Sequence, residues 1–354
     1  MTRFAWLQSR TQTLVAAAML AALAVVAAVT GIQMSHLFHS LVAHCTTGCG
    51  FAIDQYLSHD SVMEQALDIL ARAVPALLGI FWGAPLVARE LETGTYRLAW
   101  TQSVPRSRWL VTKLALGGFA AVTVAGLLTL TITWWYRAPD HVGGANPYAV
   151  LDRRDVAPIA YAVFAFALGA LVGAVIRRTV PAMAATLGVF VLVRIAISIW
   201  IRPHLLAPVR KTLSLLGAGP AAPVHLGIGS SNGGPLQLFV KGEGPPRSWT
   251  LSSHLVTSAG HRLSSGELSA FLHQHCPNVD ALPPPPPGPG ITKVGGPDAE
   301  RACLAQVART YHLLVTYQPA SRYWTFQWLE AGIFLALALA CAGGCYWWVT
   351  RRSA

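Results

Sequence analysis

The chain has 354 residues, of which 53% are hydrophobic and only 12% are charged, and its mean hydropathy is +0.46. A soluble domain carries about 25% charged residues, so this deficit and the long apolar runs exclude an ordinary soluble protein and indicate a membrane protein. The net charge of +11 does not indicate nucleic-acid binding, because the basic residues lie beside the ends of apolar runs rather than in one patch.

Six apolar runs follow one another along the chain, each near the roughly 20 residues that a helix needs to cross a bilayer. They cover residues 13–34, 70–87, 109–135, 158–176, 181–201 and 328–349. Helices are expected because the runs are too long for barrel strands. Arg3 and Arg10 precede the first run, as in a cleaved signal peptide, but its length and the runs that follow favour a retained membrane helix.

The distribution of Lys and Arg predicts that both termini are cytoplasmic. Basic residues recur in the segments that would then lie inside, whereas the first outside loop, 35–64, contains no Lys or Arg. In the second outside loop three aspartates accompany the arginines. This topology places the segment 202–327 outside the cell.

The segment 202–327 is expected to form a small mixed α/β extracytoplasmic domain. Strands are predicted over 236–240, 249–256 and 311–317, and helices over 264–275 and 298–308. Ser264 and Glu267 have the spacing of a capping box. The predicted fold class is thus an all-α membrane protein of about six helices with this domain inserted. Its parts are 1–201 with an inner loop at 88–108, then 202–327, then 328–354.

The inner loop between the second and third runs carries the most informative pattern. An acidic pair precedes a Gly-Thr turn, a short amphipathic segment and a proline. These residues are Glu90, Glu92, Gly94, Thr95, Tyr96, Arg97, Leu98, Trp100 and Pro105, and Arg108 and Lys113 follow at the next run. A short segment held between two rigid helices is suited to receive a push from a cytoplasmic partner.

This loop and the placement of the runs resemble the ABC-2 type permease family, with its actinobacterial branch the most similar. The resemblance implies a separate nucleotide-binding ATPase subunit, a second copy of the chain, and a coupling helix around 95–105 that docks on the ATPase. It does not extend to 202–327. The alternative interpretation of the inner loop at 88–108 is a solvated amphipathic turn without a coupling role.

The chain itself is not expected to be an enzyme. No Gly-x-x-x-x-Gly-Lys-Ser/Thr motif occurs in the sequence, so ATP and Mg²⁺ are expected on the partner subunit and no cofactor on this chain. The scattered Ser and His residues of 202–327 form no recognisable catalytic group.

Arg194 falls inside the fifth apolar run, where an ionised group costs at least about 2.5 kcal/mol in hydrocarbon. One interpretation is a polar substrate path or an ion pair with Glu330; the other is snorkelling to the outer interface. Asp68 and Arg72 have the spacing of an ion pair within a helix.

Four cysteines fall in predicted outside segments, where disulfides form. We predict Cys45–Cys49 and Cys276–Cys303, although crossed pairings fit the spacing as well. His36, His39 and His44 surround the first pair, but the spacing matches no standard zinc framework, so no metal site is predicted.

The expected function is export of a hydrophobic or amphipathic compound by ATP-driven alternating access. One alternative is a mechanotransmitter or sensor that relays ATP hydrolysis to 202–327 without transport. A second is an ATP-independent channel or secondary transporter, which predicts several polar residues deep in the apolar runs.

Overall fold

The computed structural model describes residues 2–43, 45, 49, 52, 55–56, 61–94, 105–140, 146–215, 224–231, 236–242, 244–245, 247–276, 291–293 and 297–351. The chain divides into two compact units. The bundle unit comprises residues 1–145, 149–205 and 323–354, and the sheet unit comprises residues 146–148 and 206–322.

The bundle unit contains six helices that are long and apolar enough to cross a membrane within the described part of the chain, as the hydropathy pattern predicted. We name them spans 1 to 6. Their bounds are Thr2–Leu37 with Phe38–Val42, Ser61–Leu78 with Gly79–Gly83 and Ala84–Thr93, Arg106–Trp135, Ala157–Ile176, Thr179–Ala196 with Ile197–Ile201, and Tyr323–Arg351.

Span 2 is much longer than the apolar run at 70–87 predicted. It begins at Ser61 and includes Asp68 and Arg72, which pair with each other at 2.9 Å. The helix also continues to Thr93, and Gly94 ends it with φ +73°, a left-handed conformation that glycine adopts without steric cost. Charged residues thus extend this helix beyond its hydrocarbon-length part at both ends.

Three spans contain a single π-helical turn, at Phe38–Val42, Gly79–Gly83 and Ile197–Ile201. The turn in span 2 lies four residues after Pro75 and faces span 4. A Cβ on Gly83 would lie 2.5 Å from the carbonyl oxygen of Phe166, and one on Gly169 would lie 2.4 Å from that of Gly79. These glycines therefore let the backbones of spans 2 and 4 approach closely, as small residues do at membrane helix interfaces.

Span 4 lies at the centre of the bundle. Of its apolar window 67% is buried, against 17–33% for the other five spans. Its buried side chains form a core with spans 5 and 6 that includes Tyr161, Phe164, Phe190 and Phe334. The outer spans instead expose large apolar side chains such as Phe119, Leu130 and Leu339, which is the surface that lipid requires.

The sheet unit contains two antiparallel three-stranded sheets with orders β1-β6-β4 and β3-β2-β5. The strands are β1 (Val209–Ser214), β2 (Val224–Ser231), β3 (Leu236–Gly242), β4 (Trp249–Thr257), β5 (Ile291–Lys293) and β6 (Tyr311–Gln318). The described part of this unit also contains helices Ser265–His275 and Pro297–Thr310. The mixed α/β domain is therefore present, and β1, β2 and β5 add to the strands that the sequence predicted.

The core of the sheet unit is apolar. Leu272, Val307, Leu313 and Val315 are each at most 1% exposed and pack together. Alternate residues of β6 point into this core, as its burial pattern shows. The predicted capping box is confirmed, because Glu267 N donates to the Ser264 hydroxyl and the Glu267 carboxylate accepts from Ser264 N at 2.7 Å.

Candidate functional site

The two ends of the bundle hold different sets of polar residues. The Gly94 end contains the last turn of span 2, the start of span 3 at Pro105 and the start of span 5 at Thr179. The Arg202 end contains the last turn of span 5 and the first turns of span 6. Of the sequence-predicted site residues that the structure describes, Glu90, Glu92, Gly94 and Pro105 lie at the Gly94 end, and Arg194 and Glu330 lie at the Arg202 end.

At the Gly94 end, the structure places the predicted loop residues Glu90, Glu92 and Gly94 at the end of span 2, and Pro105 directly before span 3. Pro105 has φ −62° and ψ 137°, an extended conformation that lets the helix begin at the next residue. The predicted coupling residues between them lie outside the described residues: Thr95, Tyr96, Arg97, Leu98 and Trp100.

Glu90 joins span 2 to span 3. Its carboxylate accepts a hydrogen bond from the ammonium group of Lys113, and the two side chains are only 10% and 13% exposed. Lys113 also lies 4.8 Å from the ring centroid of Trp109, within the range of a cation–π contact. Because breaking a buried ion pair by removing one partner costs about 3–5 kcal/mol, this contact makes the two helix ends a single unit.

Glu92 joins span 2 to span 5. Its Oε2 accepts from the backbone N–H of Thr179 at 2.9 Å and from the Thr179 hydroxyl at 2.6 Å. Thr179 is the first residue of span 5, so the carboxylate caps that helix where its free N–H groups favour a negative charge. The last turn of span 2 therefore contacts two other spans immediately before the loop.

At the Arg202 end, a carboxylate is fully buried. Glu330 is 0% exposed and accepts two hydrogen bonds of 2.8 Å from the guanidinium of Arg202 and one of 2.6 Å from the Tyr161 hydroxyl. Arg194 Nη1 lies 3.5 Å from Glu330 Oε1, and its guanidinium carbon lies 3.6 Å from the Tyr161 ring centroid. This site, the Glu330 cluster, connects spans 4, 5 and 6.

The Glu330 cluster continues towards span 2 through alternating charges. Arg194 lies 3.5 Å from Asp152, and Asp152 lies 3.8 Å from Arg72. Asp68 pairs with Arg72 at 2.9 Å and with Arg153 at 2.7 Å. Arg194, which the sequence predicted to line a substrate path or to form an ion pair, thus contacts a carboxylate on each of two sides. Its side chain is 15% exposed.

Sequence reasoning missed several residues of this end. Arg202 and Asp152 fall at the borders of apolar runs, and Tyr161 reads as an ordinary apolar residue of span 4. Gln327 is also 0% exposed. It donates to the carbonyl of Leu151 and accepts from the backbone N–H of Ala157, both at 2.9 Å. The sequence signal for this buried polar site was the pair Gln327 and Glu330, two polar residues three positions apart within an aromatic stretch.

Two groups beside the spans have shifted pKa values. Burial, with Glu64 nearby, raises the pKa of the Tyr136 hydroxyl to about 12. Burial, the largest single influence, lowers the pKa of Arg154, but the 2.8 Å hydrogen bond to Asp140 together with the charges of Asp140, Tyr323 and Asp155 raises this pKa overall. Across the physiological pH range the Tyr136 hydroxyl therefore stays neutral and the Arg154 guanidinium stays cationic.

The structure joins Cys45 to Cys49 in the bundle unit and Cys276 to Cys303 in the sheet unit. The second bond connects the residue that follows helix Ser265–His275 to helix Pro297–Thr310 and lies in the apolar core of the sheet unit. Among the described residues, no group of three or more His, Cys, Asp or Glu side chains is placed to hold a metal ion.

A model of the family described as ABC-2 membrane transporter related matches residues 17–202 of the chain. The match covers more than half of the sequence and ends with span 5, so it includes the Gly94 end and leaves out the sheet unit and span 6. No curated protein and no solved structure matches the chain.

Proposed function

Because this chain belongs to the ABC-2 membrane transporter related family, we propose that it is the permease subunit of an ATP-driven exporter of a hydrophobic or amphipathic compound. It is a multi-pass membrane protein with six candidate spans, and permeases of this family work with an ATPase partner. The chain itself binds no cofactor in this proposal, and ATP and Mg²⁺ are held by that separate subunit.

The observation that carries the proposal is the double connection of the last turn of span 2. Glu90 holds span 3 through Lys113, and Glu92 holds span 5 through Thr179. A displacement of the loop 95–104 is therefore transmitted to three spans together rather than to one. This is what a coupling segment between an ATPase and a transport path requires.

The proposed topology has both termini and the Gly94 end in the cytoplasm and the sheet unit outside. It is supported by the excess of Lys and Arg in the segments that meet at the Gly94 end. The proposed working unit contains two copies of the chain and two ATPases. ATP-driven closure of the ATPases then moves the spans in both copies and opens the path outward.

The Glu330 cluster is proposed to lie at the outer end of this path. Its charges are shared among spans 2, 4, 5 and 6, so any rearrangement of these helices has to break or exchange ion pairs. Interfaces of this kind have discrete alternative arrangements rather than a continuous range. The cluster is thus suited to hold the outer end closed until the Gly94 end moves.

The coupling role is tested in proteoliposomes that contain the permease and its ATPase subunit. Arg97→Glu is expected to uncouple hydrolysis from the permease, so that ATPase activity no longer responds to the presence of the permease. Arg351→Glu reverses an exposed charge at the same end of the bundle and is expected to leave the response intact. An unchanged response in Arg97→Glu, or labelling of residue 97 from outside, contradicts the proposal.

A relay without transport is the second candidate, favoured by the separate core and the disulfide of the sheet unit. The two functions differ when residues 206–322 are replaced by a short flexible linker. An exporter retains ATP-dependent movement of compound across the bilayer. A relay shows no such movement in either protein, while its ATPase activity remains.

A further inference from the structure

A groove lies between spans 1 and 3 at the Arg202 end of the bundle. It has a volume of about 550 Å³ and is lined by Gly31, Ser35, Phe38, His39, Trp134, Trp135 and Arg137. A volume of this size is in the range of sites that hold small organic ligands. These residues belong to spans 1 and 3 and the turn after span 3, whereas the Glu330 cluster connects spans 4, 5 and 6, so the groove requires its own explanation.

The groove is shaped by specific contacts between the two spans. Trp135 Nε1 donates to the Thr30 hydroxyl at 3.0 Å, which fixes span 3 against span 1. Gly31 leaves the space that Trp134 occupies, because a Cβ there would lie 2.7 Å from the ring atom Cζ3. The aromatic wall is therefore held in place by hydrogen bonding and close packing.

The charge of the groove is positive. Arg137 is exposed, and in the part of the chain that the structure describes no carboxylate lies within ion-pair distance of it. Asp140, the acid closest to it in sequence, is instead bonded to Arg154 at 2.8 Å. None of the described residues that line the groove is acidic.

The position of the groove indicates which anion fits it. Trp134 and Trp135 end a membrane-length helix, where tryptophan marks the level of lipid headgroups. An arginine guanidinium binds phosphate with two parallel hydrogen bonds, and the apolar wall along Gly31 and Phe38 suits an acyl chain. A free inorganic anion would leave this apolar wall unused.

We propose that this groove binds one anionic phospholipid, with its phosphate on Arg137 and its acyl chain between spans 1 and 3. A zwitterionic lipid fits less well, because no lining carboxylate meets its cationic group. Only the leaflet assignment, the outer one, rests on the proposed topology. The lipid would fill the groove beside the Trp135–Thr30 contact and stabilise the packing of spans 1 and 3.

The test uses the full chain purified in neutral detergent and titrated with phosphatidylglycerol, phosphatidylcholine or inorganic phosphate. Thermal unfolding of the helices and native mass spectrometry report binding. Phosphatidylglycerol alone is expected to raise Tm. Arg137→Gln is expected to bind it about fivefold more weakly, which corresponds to about 1 kcal/mol per basic residue near an anionic lipid. Arg351→Gln, which removes an exposed arginine at the opposite end, is the matched control and is expected to bind like the parent chain.

A second variant tests the groove without removing its charge. Ser35 is exposed in the groove, so Ser35→Trp is expected to fill the space and abolish the lipid effect while the lipid-free Tm stays near that of the parent. Equal binding by Arg137→Gln and Arg351→Gln, equal effects of the two lipids, or an equal effect of inorganic phosphate alone each overturns the proposal. Because no ATPase is present in this assay, its failure is distinguishable from a failure of the coupling role.

Discussion

The two units of this chain both contain an apolar core but differ in what else they bury and expose. The bundle unit exposes side chains such as Leu130 and Leu339, at 67% and 74%, and buries Gln327 and Glu330 completely. The sheet unit buries an apolar core around Leu313. In lipid, apolar contacts provide no driving force between helices, so polar pairs and close backbone packing hold a bundle together. The same chain is therefore stabilised by two different kinds of contact.

Removing the buried carboxylate tests the polar side of this comparison and has the largest expected effect. Glu330→Gln leaves Arg202 without its charged partner, and we expect the free energy of unfolding to fall by about 3–5 kcal/mol. Titration with SDS in mixed micelles, followed by helical circular dichroism, measures this change. Glu64→Gln removes a half-buried carboxylate that accepts a long hydrogen bond of 3.3 Å from Tyr136 and is the matched control. Equal losses in the two variants would mean that the Glu330 cluster does not stabilise the bundle.

Removing the covalent link tests the sheet unit. The Cys276–Cys303 bond closes a loop with a sequence separation of 27, and loop-closure entropy then predicts a loss of about 3.5 kcal/mol in the double alanine variant. The measurement is the free energy of opening of the sheet unit by native-state proteolysis. The Cys45–Cys49 bond, with a separation of 4, predicts only about 2 kcal/mol. A larger effect of the shorter loop would contradict the entropic origin of the stabilisation.

Adding a methyl group tests the close packing of spans 2 and 4. In Gly169→Ala the new Cβ would meet the Gly79 carbonyl oxygen at 2.4 Å, so we expect a loss of about 1–3 kcal/mol. Gly188→Ala in span 5 has no atom within 4 Å of the new Cβ and is expected to be neutral or stabilising by up to about 1 kcal/mol. The SDS titration of both variants compares them directly. A neutral Gly169→Ala would show that the two backbones have room to separate.

The smallest effect concerns the capping box of the sheet unit. Ser264→Ala is expected to cost about 1 kcal/mol, while Ser264→Thr keeps the hydroxyl and is the control. Hydrogen bonds from the backbone and hydroxyl of Ser264 lower the pKa of Glu267 below its ordinary 4.5. Because the folded-state pKa is the lower one, this stabilisation is present above about pH 4.5 and is lost as the pH falls further. Amide exchange of Leu268, whose N–H bonds to Ser264, measures both changes, and a pH-independent exchange in the parent would contradict the assignment.

The sequence predicted the helices well because apolar length alone determines membrane spans. The apolar run at 70–87 is shorter than span 2, which begins at Ser61, but the ion pair of Asp68 and Arg72 within this helix is confirmed. The sequence missed strand β2, because glycines at 227 and 229 weaken the strand pattern that pairing with β3 and β5 supports. Local patterns therefore define elements, whereas partners that are distant in sequence decide where the elements end.

The candidate site was predicted only in part, because its contacts also join residues that are distant in sequence. The acidic pair Glu90 and Glu92 is visible as a motif, but its partners Lys113 and Thr179 are separated from it by 23 and 87 residues. Four points stay predictions: the coupling role of 95–105, the homodimer, the direction of transport and the resemblance to the actinobacterial branch. Arg194 was identified because a charge in an apolar run is conspicuous, whereas Tyr161 and Arg202 are not unusual where they stand.

The distance of 128 residues between Arg202 and Glu330 has a consequence for biosynthesis. A ribosome makes Arg194 and Arg202 long before it makes Glu330, although Asp152, which lies 3.5 Å from Arg194, precedes both. Residues 206–322 of the sheet unit are synthesised in the interval. Arg202 therefore gains the carboxylate that accepts its two hydrogen bonds only when span 6 is made, and insertion of this helix completes the bundle by pairing that charge.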